Sequence, residues 1–289
     1  MVTQEEIIRQ FRKIAQNNQY IRLLNIYKGL PINNEATIVK IESTYIEVET
    51  DRYQTVCLFL DRETFIQSHH LDQTIKARIY KVDPQHTRAI LYGFESIPSG
   101  IGDRTQVRVE PDEPILGVVQ VKDAMSTIQG NLADISQNGV GFFIDRNSFS
   151  PRHLRIGSEI TISFKLPEGN FSEKKNSATL DSGSDPMARF SREQIRVSQV
   201  VQNRDDNRPK TTSSLKITPF NLQIRGQIVN VRPSLSANLY RIGVRLFNDE
   251  QSKIILSNFI SLRQSEIIRE LKTRYDAITK FNQQDQPSP

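Results

Sequence analysis

Two short patterns place chemically useful residues at defined spacing: Arg104-x-x-x-Arg108 and Asp134-Ile135-Ser136-Gln137-Asn138-Gly139. Residues i and i+4 share a face in a strand as well as in a helix, so Arg104 and Arg108 can present two guanidinium groups on one side. A guanidinium is a planar fork of donors that matches phosphate oxygens, stacks on rings, and pairs with O6 and N7 of guanine. An ionised Asp134 only accepts, which suits the N1–H and N2–H donors on guanine's other edge. Ser136 can donate or accept beside it, and Gly139 permits a turn with positive φ and a close backbone approach. Together these residue types fit a guanine-bearing phosphate ligand. The same segment admits a plainer reading, in which Asn138-Gly139 is a type I′ hairpin turn and Asp134 and Ser136 bond the nearby backbone.

The two patterns differ in information. With 24 Arg in 289 residues, composition alone yields about two Arg-x-x-x-Arg pairs. Four occur: Arg104/Arg108, Arg192/Arg196, Arg204/Arg208 and Arg241/Arg245. An Asp-x-Ser-x-x-Gly is expected about 0.06 times and occurs once, so it carries the signal and the arginines gain meaning from preceding it. Arg241 and Arg245 alternate with Ile242, Val244 and Leu246, which turns them to solvent or to a barrel rim, with Arg245 in reach of a ligand.

Familiar enzyme signatures are missing. No phosphate-binding G-x-x-x-x-G-K-[ST], no G-x-G-x-x-G after a strand and no G-x-S-x-G elbow occurs. The four histidines, His69, His70, His86 and His153, have no partner at metal-ligand spacing. The lone cysteine, Cys57, excludes a disulfide framework within the chain and reads as a buried, inert strand thiol in Val56-Cys57-Leu58-Phe59-Leu60. No apolar run approaches the roughly 18 residues of a membrane span, and the opening Met1-Val2-Thr3-Gln4-Glu5-Glu6 lacks a basic or apolar signal region. A cytoplasmic, non-catalytic protein with no metal, no cofactor and no membrane insertion is therefore expected.

The elements that must hold the patterns follow from periodicity. Ile7, Ile8, Phe11, Ile14 and Ala15 recur at helical spacing, with Thr3 and Glu6 as a capping box, predicting a helix over 3–17. Alternation then predicts strands over 37–41, 45–49, 55–60, 75–82 and 88–94. The run Ser96-Ile97-Pro98-Ser99-Gly100-Ile101-Gly102 is a boundary. A second strand series is predicted over 115–121, 131–135, 140–144, 159–166, 222–231 and 239–247. Between them lies a polar insertion, 168–221, expected to be disordered, with a short extra strand at 195–201. Asn248-Asp249-Glu250 should cap a long helix with apolar positions Ile254, Ile255, Phe259, Ile260, Leu262, Ile267, Ile268 and Leu271, a stripe for packing on the barrel or for a dimer contact.

Here the sequence resembles a known family. Arg104-x-x-x-Arg108 followed by Asp134-x-Ser136-x-x-Gly139 looks like the signature of PilZ domains, bacterial receptors for the second messenger cyclic di-GMP. Gly139-Val140-Gly141-Phe142-Phe143 resembles the family's strand after the turn. Gly226-Gln227-Ile228-Val229 and Tyr240-Arg241-Ile242-Gly243-Val244-Arg245-Leu246-Phe247 resemble its closing strands. More weakly, a β domain ahead of it resembles the flagellar brake proteins, whose N-terminal domain is a split barrel. Asp103 departs from the pattern, since many members carry another Arg there.

The resemblance implies a mainly β chain of two small antiparallel barrels, an N-terminal split barrel and a six-stranded PilZ-like barrel, with an N-terminal helix and a long C-terminal helix. Its parts would be 1–98 for the first barrel, 99–108 for a hinge linker carrying the arginines, 102–280 for the PilZ-like domain and 281–289 for a disordered tail. It implies cyclic di-GMP as ligand of Arg104, Arg108, Asp134, Ser136 and Gly139, with Asp103 and Arg245 as additional candidates. Binding would change the inter-domain orientation and pass a signal to an unidentified protein effector in motility, exopolysaccharide or a related output, the chain being monomer or homodimer. The alternative is a PilZ-like adaptor that binds proteins and no nucleotide.

A nucleic-acid partner is not expected. The formal charge of +5 points that way, but Phe171, Phe190 and Phe220 are too far apart to make a stacking platform among the basic residues.

Overall fold

The computed structural model describes residues 2–97, 106–121, 127–148, 154–167, 221–234 and 238–284, with side chains as far as 281. Asp103 and Arg104, most of the predicted linker, the strand expected at 195–201 and nearly all of the insertion fall outside the described residues. Apart from Pro167, the described residues belong to one compact unit.

The first helix, α1 (Gln4–Gln16), starts where expected. Thr3 is its N-cap, with the Glu6 N–H donating to Thr3 Oγ1 at 3.3 Å, and Ile7, Ile8, Phe11 and Ile14 form its buried stripe. Only half of the capping box forms, because the Glu6 carboxylate turns to Arg9 instead.

Six strands then close a barrel: β1 (Ile21–Tyr27), β2 (Leu30–Ile41), β3 (Tyr45–Thr50), β4 (Glu63–Gln67), β5 (Thr74–Asp83) and β6 (Arg88–Ile97). Their order around the ring is β1-β2-β3-β6-β5-β4, with every pairing antiparallel and β4 returning to β1. Alternate side chains fill the interior: Leu23, Ile46, Val48, Ile66, Ala77 and Leu91 are fully buried, and Phe11 of α1 meets Phe94 edge-on at 5.2 Å.

One predicted strand is a helix. Residues 52–60 form α2 (Arg52–Leu60), capped by Asp51, whose carboxylate accepts the Tyr53 N–H at 2.7 Å. Tyr53 through Leu58 are all buried, so the apolar run that reads as a core strand is a helix enclosed on most sides, and Cys57 is a helical rather than a strand thiol. Burial pushes the Cys57 thiol pKa up, with Asp61 and Asp51 adding to the shift, which keeps it in the inert protonated form.

The second barrel uses β8 (Leu116–Val121), β9 (Thr127–Ser136), β10 (Gly139–Asp145), β11 (Glu159–Lys165), β12 (Asn221–Pro233) and β13 (Leu239–Leu246). Its ring runs β8-β9-β10-β13-β12-β11 and closes where β11 pairs with β8. A further strand of two residues, β7 (Arg108–Val109), continues the β8 side of β9, pairing Arg108 with Ser136 and Val109 with Ile135. Phe142 fills the interior, and Gly117 makes room for it, since a Cβ there would lie 2.4 Å from the Phe142 ring.

The last helix, α3 (Glu250–Gln284), is capped by Asp249, whose carboxylate accepts the Ser252 N–H at 2.6 Å. It extends into the segment expected as a frayed tail. Its buried stripe is Ser252, Leu256, Ile260, Arg263, Ile267 and Leu271, at steps of three and four residues. Ile254 is exposed and Ile255, Phe259, Leu262 and Ile268 are half-buried, so the stripe is rotated from the expected one. The helix packs against α2 of the first barrel and against β7 and β9 of the second.

Candidate functional site

Strand alternation decides which motif residues meet. Along β13, Ile242, Val244 and Leu246 point inward, leaving Arg241, Gly243 and Arg245 outside. Along β10, Val140, Phe142 and Ile144 are inside, so Gly139, Gly141 and Phe143 share the outer face. On β9 the register shifts between Gly141 and Phe142, where Ala133 is the extra residue. The bulge flips the pleat, putting Ile135 inside and Asp134 and Ser136 outside.

Three cross-strand rows result. Arg108, Ser136, Gly139 and Arg245 stand in the first, Asp134, Gly141 and Gly243 in the second, and Asn131, Phe143 and Arg241 in the third. The middle row has two glycines, so the wall is bare beside the Asp134 carboxylate and forms a shelf. A Cβ on Gly141 would sit 3.1 Å from Asp134 Oδ2 and 3.2 Å from Oδ1. The carboxylate therefore lies over Gly141, in space that only a glycine leaves, and the shelf continues past it to Gly243.

Asp134 itself is only 5% exposed and its charge is met from two strands. Arg108 Nη1 approaches Oδ1 at 3.5 Å from β7, and Arg241 Nη2 donates to Oδ2 from β13. The Arg241 guanidinium also lies over the Phe143 ring, 6.0 Å from its centre. Arg245 stands in the first row with no ion-pair partner among the described residues. The structure thus gathers Arg108, Asp134, Ser136, Gly139 and Arg245 on one face, whereas Arg104 and Asp103 lie outside the described residues.

Two expectations change. The β9–β10 turn is Gln137-Asn138, and neither Asn138 nor Gly139 has positive φ. Gly139 is needed for space, because a Cβ there would lie 3.0 Å from the Val244 carbonyl. Ser136 Oγ donates to the Gly139 carbonyl at 2.9 Å, as in the plainer reading, while Asp134 ignores the backbone and takes the arginines. Arg241 is the member that sequence reasoning missed. Its spacing, four residues before Arg245, was visible, but its place opposite Phe143 is set by the strand register.

The strand carrying Arg108 is gripped from both sides. The Glu110 N–H donates to the Lys28 carbonyl at 3.0 Å, at the tip of the β1–β2 hairpin. Gly29 at that tip has φ +79°, and a Cβ there would press on the Arg108 carbonyl at 3.2 Å, so only glycine suits both the turn and the approach. From α3, Arg263 Nε donates to the Glu110 carbonyl at 2.9 Å and Nη2 to Asp112 Oδ1 at 2.9 Å. Lys28 Nζ bridges Asp112 at 3.3 Å and Glu270 at 2.7 Å, and Tyr27 Oη donates to Glu270 at 2.8 Å.

Burial alone would raise the Glu270 carboxyl, but hydrogen bonds from Lys28, Tyr27 and Arg274 outweigh it and hold its pKa at about 2. The Tyr27 phenol is pushed up to about 12, by burial first and then by Glu270. At the other end of α3, Gln137 of the turn donates to Ser257 Oγ at 2.8 Å, and Asn248 donates to the Gln137 carbonyl at 2.5 Å. One helix therefore touches both the Asp-Ser-Gly turn and the arginine strand.

Among the described residues no group of three His, Cys, Asp or Glu side chains could hold a metal, and no helix is long and apolar enough to cross a membrane.

No protein family's sequence profile matches the chain, and no curated protein sequence does. Solved structures do. MrkH from K. pneumonia, in its complex with c-di-GMP, matches at 11% identity and a TM-score of 0.38, covering 95% of this chain and 98% of that one. YcgR from Escherichia coli, with c-di-GMP, matches at 11% identity and 0.36, covering 96% of each. The PilZ domain of YcgR from the same organism, with c-di-GMP, matches at 14% identity and 0.33, covering 60% of this chain and 98% of that one.

Proposed function

We propose that the chain is a non-catalytic receptor for cyclic di-GMP, seated on the outer face of the second barrel. The observation that carries this is the grouping of Arg108, Arg241 and Arg245 with one buried carboxylate on a glycine-floored shelf. Three guanidinium groups against one Asp leave positive charge that a dianion can satisfy, and the bare floor admits a planar base. Arg104 and Arg108 grip phosphate and base, Asp134 accepts from guanine, and Ser136 and Gly139 shape the edge of the seat. Arg245, on the same face, and Asp103, outside the described residues, are the additional candidates for contact with the ligand. A binding role rather than catalysis is supported by the commitment of the shelf's hydroxyl, Ser136, to the Gly139 carbonyl.

Occupancy is read out by the neighbouring barrel. Arg108 lies two residues from Glu110, whose backbone is held by the hairpin tip of the first barrel and by α3. Capture of Arg108 by ligand pulls on that joint, shifting the inter-domain orientation seen by a protein effector.

Titration calorimetry with cyclic di-GMP tests the reading, with saturable binding expected. Asp134→Ala should erode the preference for cyclic di-GMP over cyclic di-AMP, and a variant as selective as the parent would remove that role from Asp134. A second reading, an adaptor that binds protein and no nucleotide, has one observation in its favour: Asp134 and Ser136 already have partners within the chain. Absence of heat or of any shift on titration would select it.

A further inference from the structure

Arg241 belongs to the shelf in a way that the two sequence motifs do not announce. It reaches Asp134 from β13, on the carboxylate oxygen opposite to the one approached by Arg108. Its guanidinium is backed by the Phe143 ring, and its side chain remains 50% exposed. The Arg241–Asp134 pair is thus held in place, with the guanidinium open to solvent and the carboxylate, 5% exposed, presenting only its edge.

The hydrogen-bonding capacity of this pair is only partly used. A terminal guanidinium nitrogen carries two hydrogens, and the one not given to Asp134 Oδ2 is available. Each carboxylate oxygen accepts more than one bond, and Arg108 stands at the long limit of 3.5 Å from Oδ1. Side by side the pair offers donor, acceptor, acceptor: Arg241 Nη2–H, Asp134 Oδ2, Asp134 Oδ1. Guanine's Watson–Crick edge offers the complement in the same order: O6, N1–H, N2–H. Adenine presents a donor where O6 stands and an acceptor where N1–H stands, so both positions conflict.

Resting on the cyclic di-GMP reading above, we propose that Arg241 is a specificity residue of this site, donating to guanine O6 while Asp134 accepts from N1–H and N2–H. The pair is a guanine reader assembled before ligand arrives, and Arg241 need not leave Asp134 to act. A site built on donors and acceptors rejects a mismatched ligand through the groups it leaves unpaired, which is a stronger filter than shape.

The test is binding of cyclic di-GMP, cyclic di-IMP and cyclic di-AMP to the full chain and to Arg241→Met and Arg241→Lys, with circular dichroism of each variant. Inosine keeps O6 and N1–H and lacks the N2 amine. Arg241→Met should weaken cyclic di-GMP and cyclic di-IMP by the same factor, roughly ten- to a hundredfold, and cyclic di-AMP far less. Arg241→Lys restores one donor and should regain part of the loss. Equal weakening of all three ligands by both variants would reduce Arg241 to a source of charge and overturn the proposal, as would unchanged affinity. If the unaltered chain fails to bind cyclic di-GMP, the receptor reading falls and this one with it; if it binds and the Arg241 variants keep its selectivity, only this one falls.

Discussion

The two barrels share a strand number and an antiparallel ring, but their outer faces are finished differently. On the first barrel several charges are paired across neighbouring strands: Arg88 takes Glu49 at 3.0 Å and Glu47 at 3.8 Å, and Lys76 takes Glu63 at 2.8 Å. On the second, Arg108 and Arg241 both meet the Asp134 carboxylate and Arg245 stands in the neighbouring row of the same face, beside the glycines of the middle row. Paired charges leave little for a ligand to satisfy, whereas an arginine surplus beside glycines suits an anion with a flat part. The sequence-wide charge agrees in place, since residues 1–100 balance at 12 basic and 12 acidic, and the whole +5 resides beyond them. Bulk basicity is then no argument for nucleic acid.

This contrast can be broken at the shelf first. Gly141→Val puts a side chain against Asp134 and onto the floor, and should weaken cyclic di-GMP more than about a hundredfold, as a site loses two or more charge-assisted bonds; calorimetry showing a bound ligand of normal affinity would mean the floor is not the seat. Arg108→Ala removes one such bond and should cost roughly tenfold or more, read in the same titration.

Smaller effects sharpen the picture away from the shelf. Glu270→Gln should lower stability by about 1 kcal/mol at neutral pH, since the part-exposed carboxylate is screened by water. Because the folded pKa lies below the ordinary value, this advantage of the parent is full above about pH 4.5 and is lost as pH falls towards 2; denaturant midpoints of the two proteins should converge over that window. Smallest of all, Arg88→Ala on the first barrel should change stability by no more than about 0.5 kcal/mol and leave ligand affinity untouched. A loss of binding there would undo the division of labour between the two outer faces.

Much of this was legible residue by residue. The second barrel's strands read easily because Ile242, Val244 and Leu246 on β13 and Ile160, Ile162 and Phe164 on β11 alternate without interruption. The first barrel was harder. β1 carries Asn25 among its buried positions, where the side chain donates to Asp61 at 2.7 Å and to the Glu63 carbonyl at 2.9 Å and accepts from Thr64 at 2.7 Å, so the apolar alternation is broken by a buried polar network. α2 was misread because a helix buried on most sides has no amphipathic period; only Asp51, its cap, gave it away. At the site, the Asp-Ser-Gly turn was identifiable from rarity, but the partnership of Arg241 with Asp134 depends on a bulge at Ala133 and on strand order, neither of which is written in local spacing.

The geometry of α3 has a consequence for how the molecule melts. A helix of 35 residues extends about 52 Å, and this one is buried in part by each barrel, with Arg263, only 4% exposed, held by the Glu110 carbonyl and the Asp112 carboxylate of the segment between them and by Glu266 of its own helix. Separating the barrels would strand that guanidinium and bare Leu256, Ile260, Ile267 and Leu271 together. The two barrels therefore share one helix as common buried surface, and whatever loosens that helix from either end should lower the melting point of both.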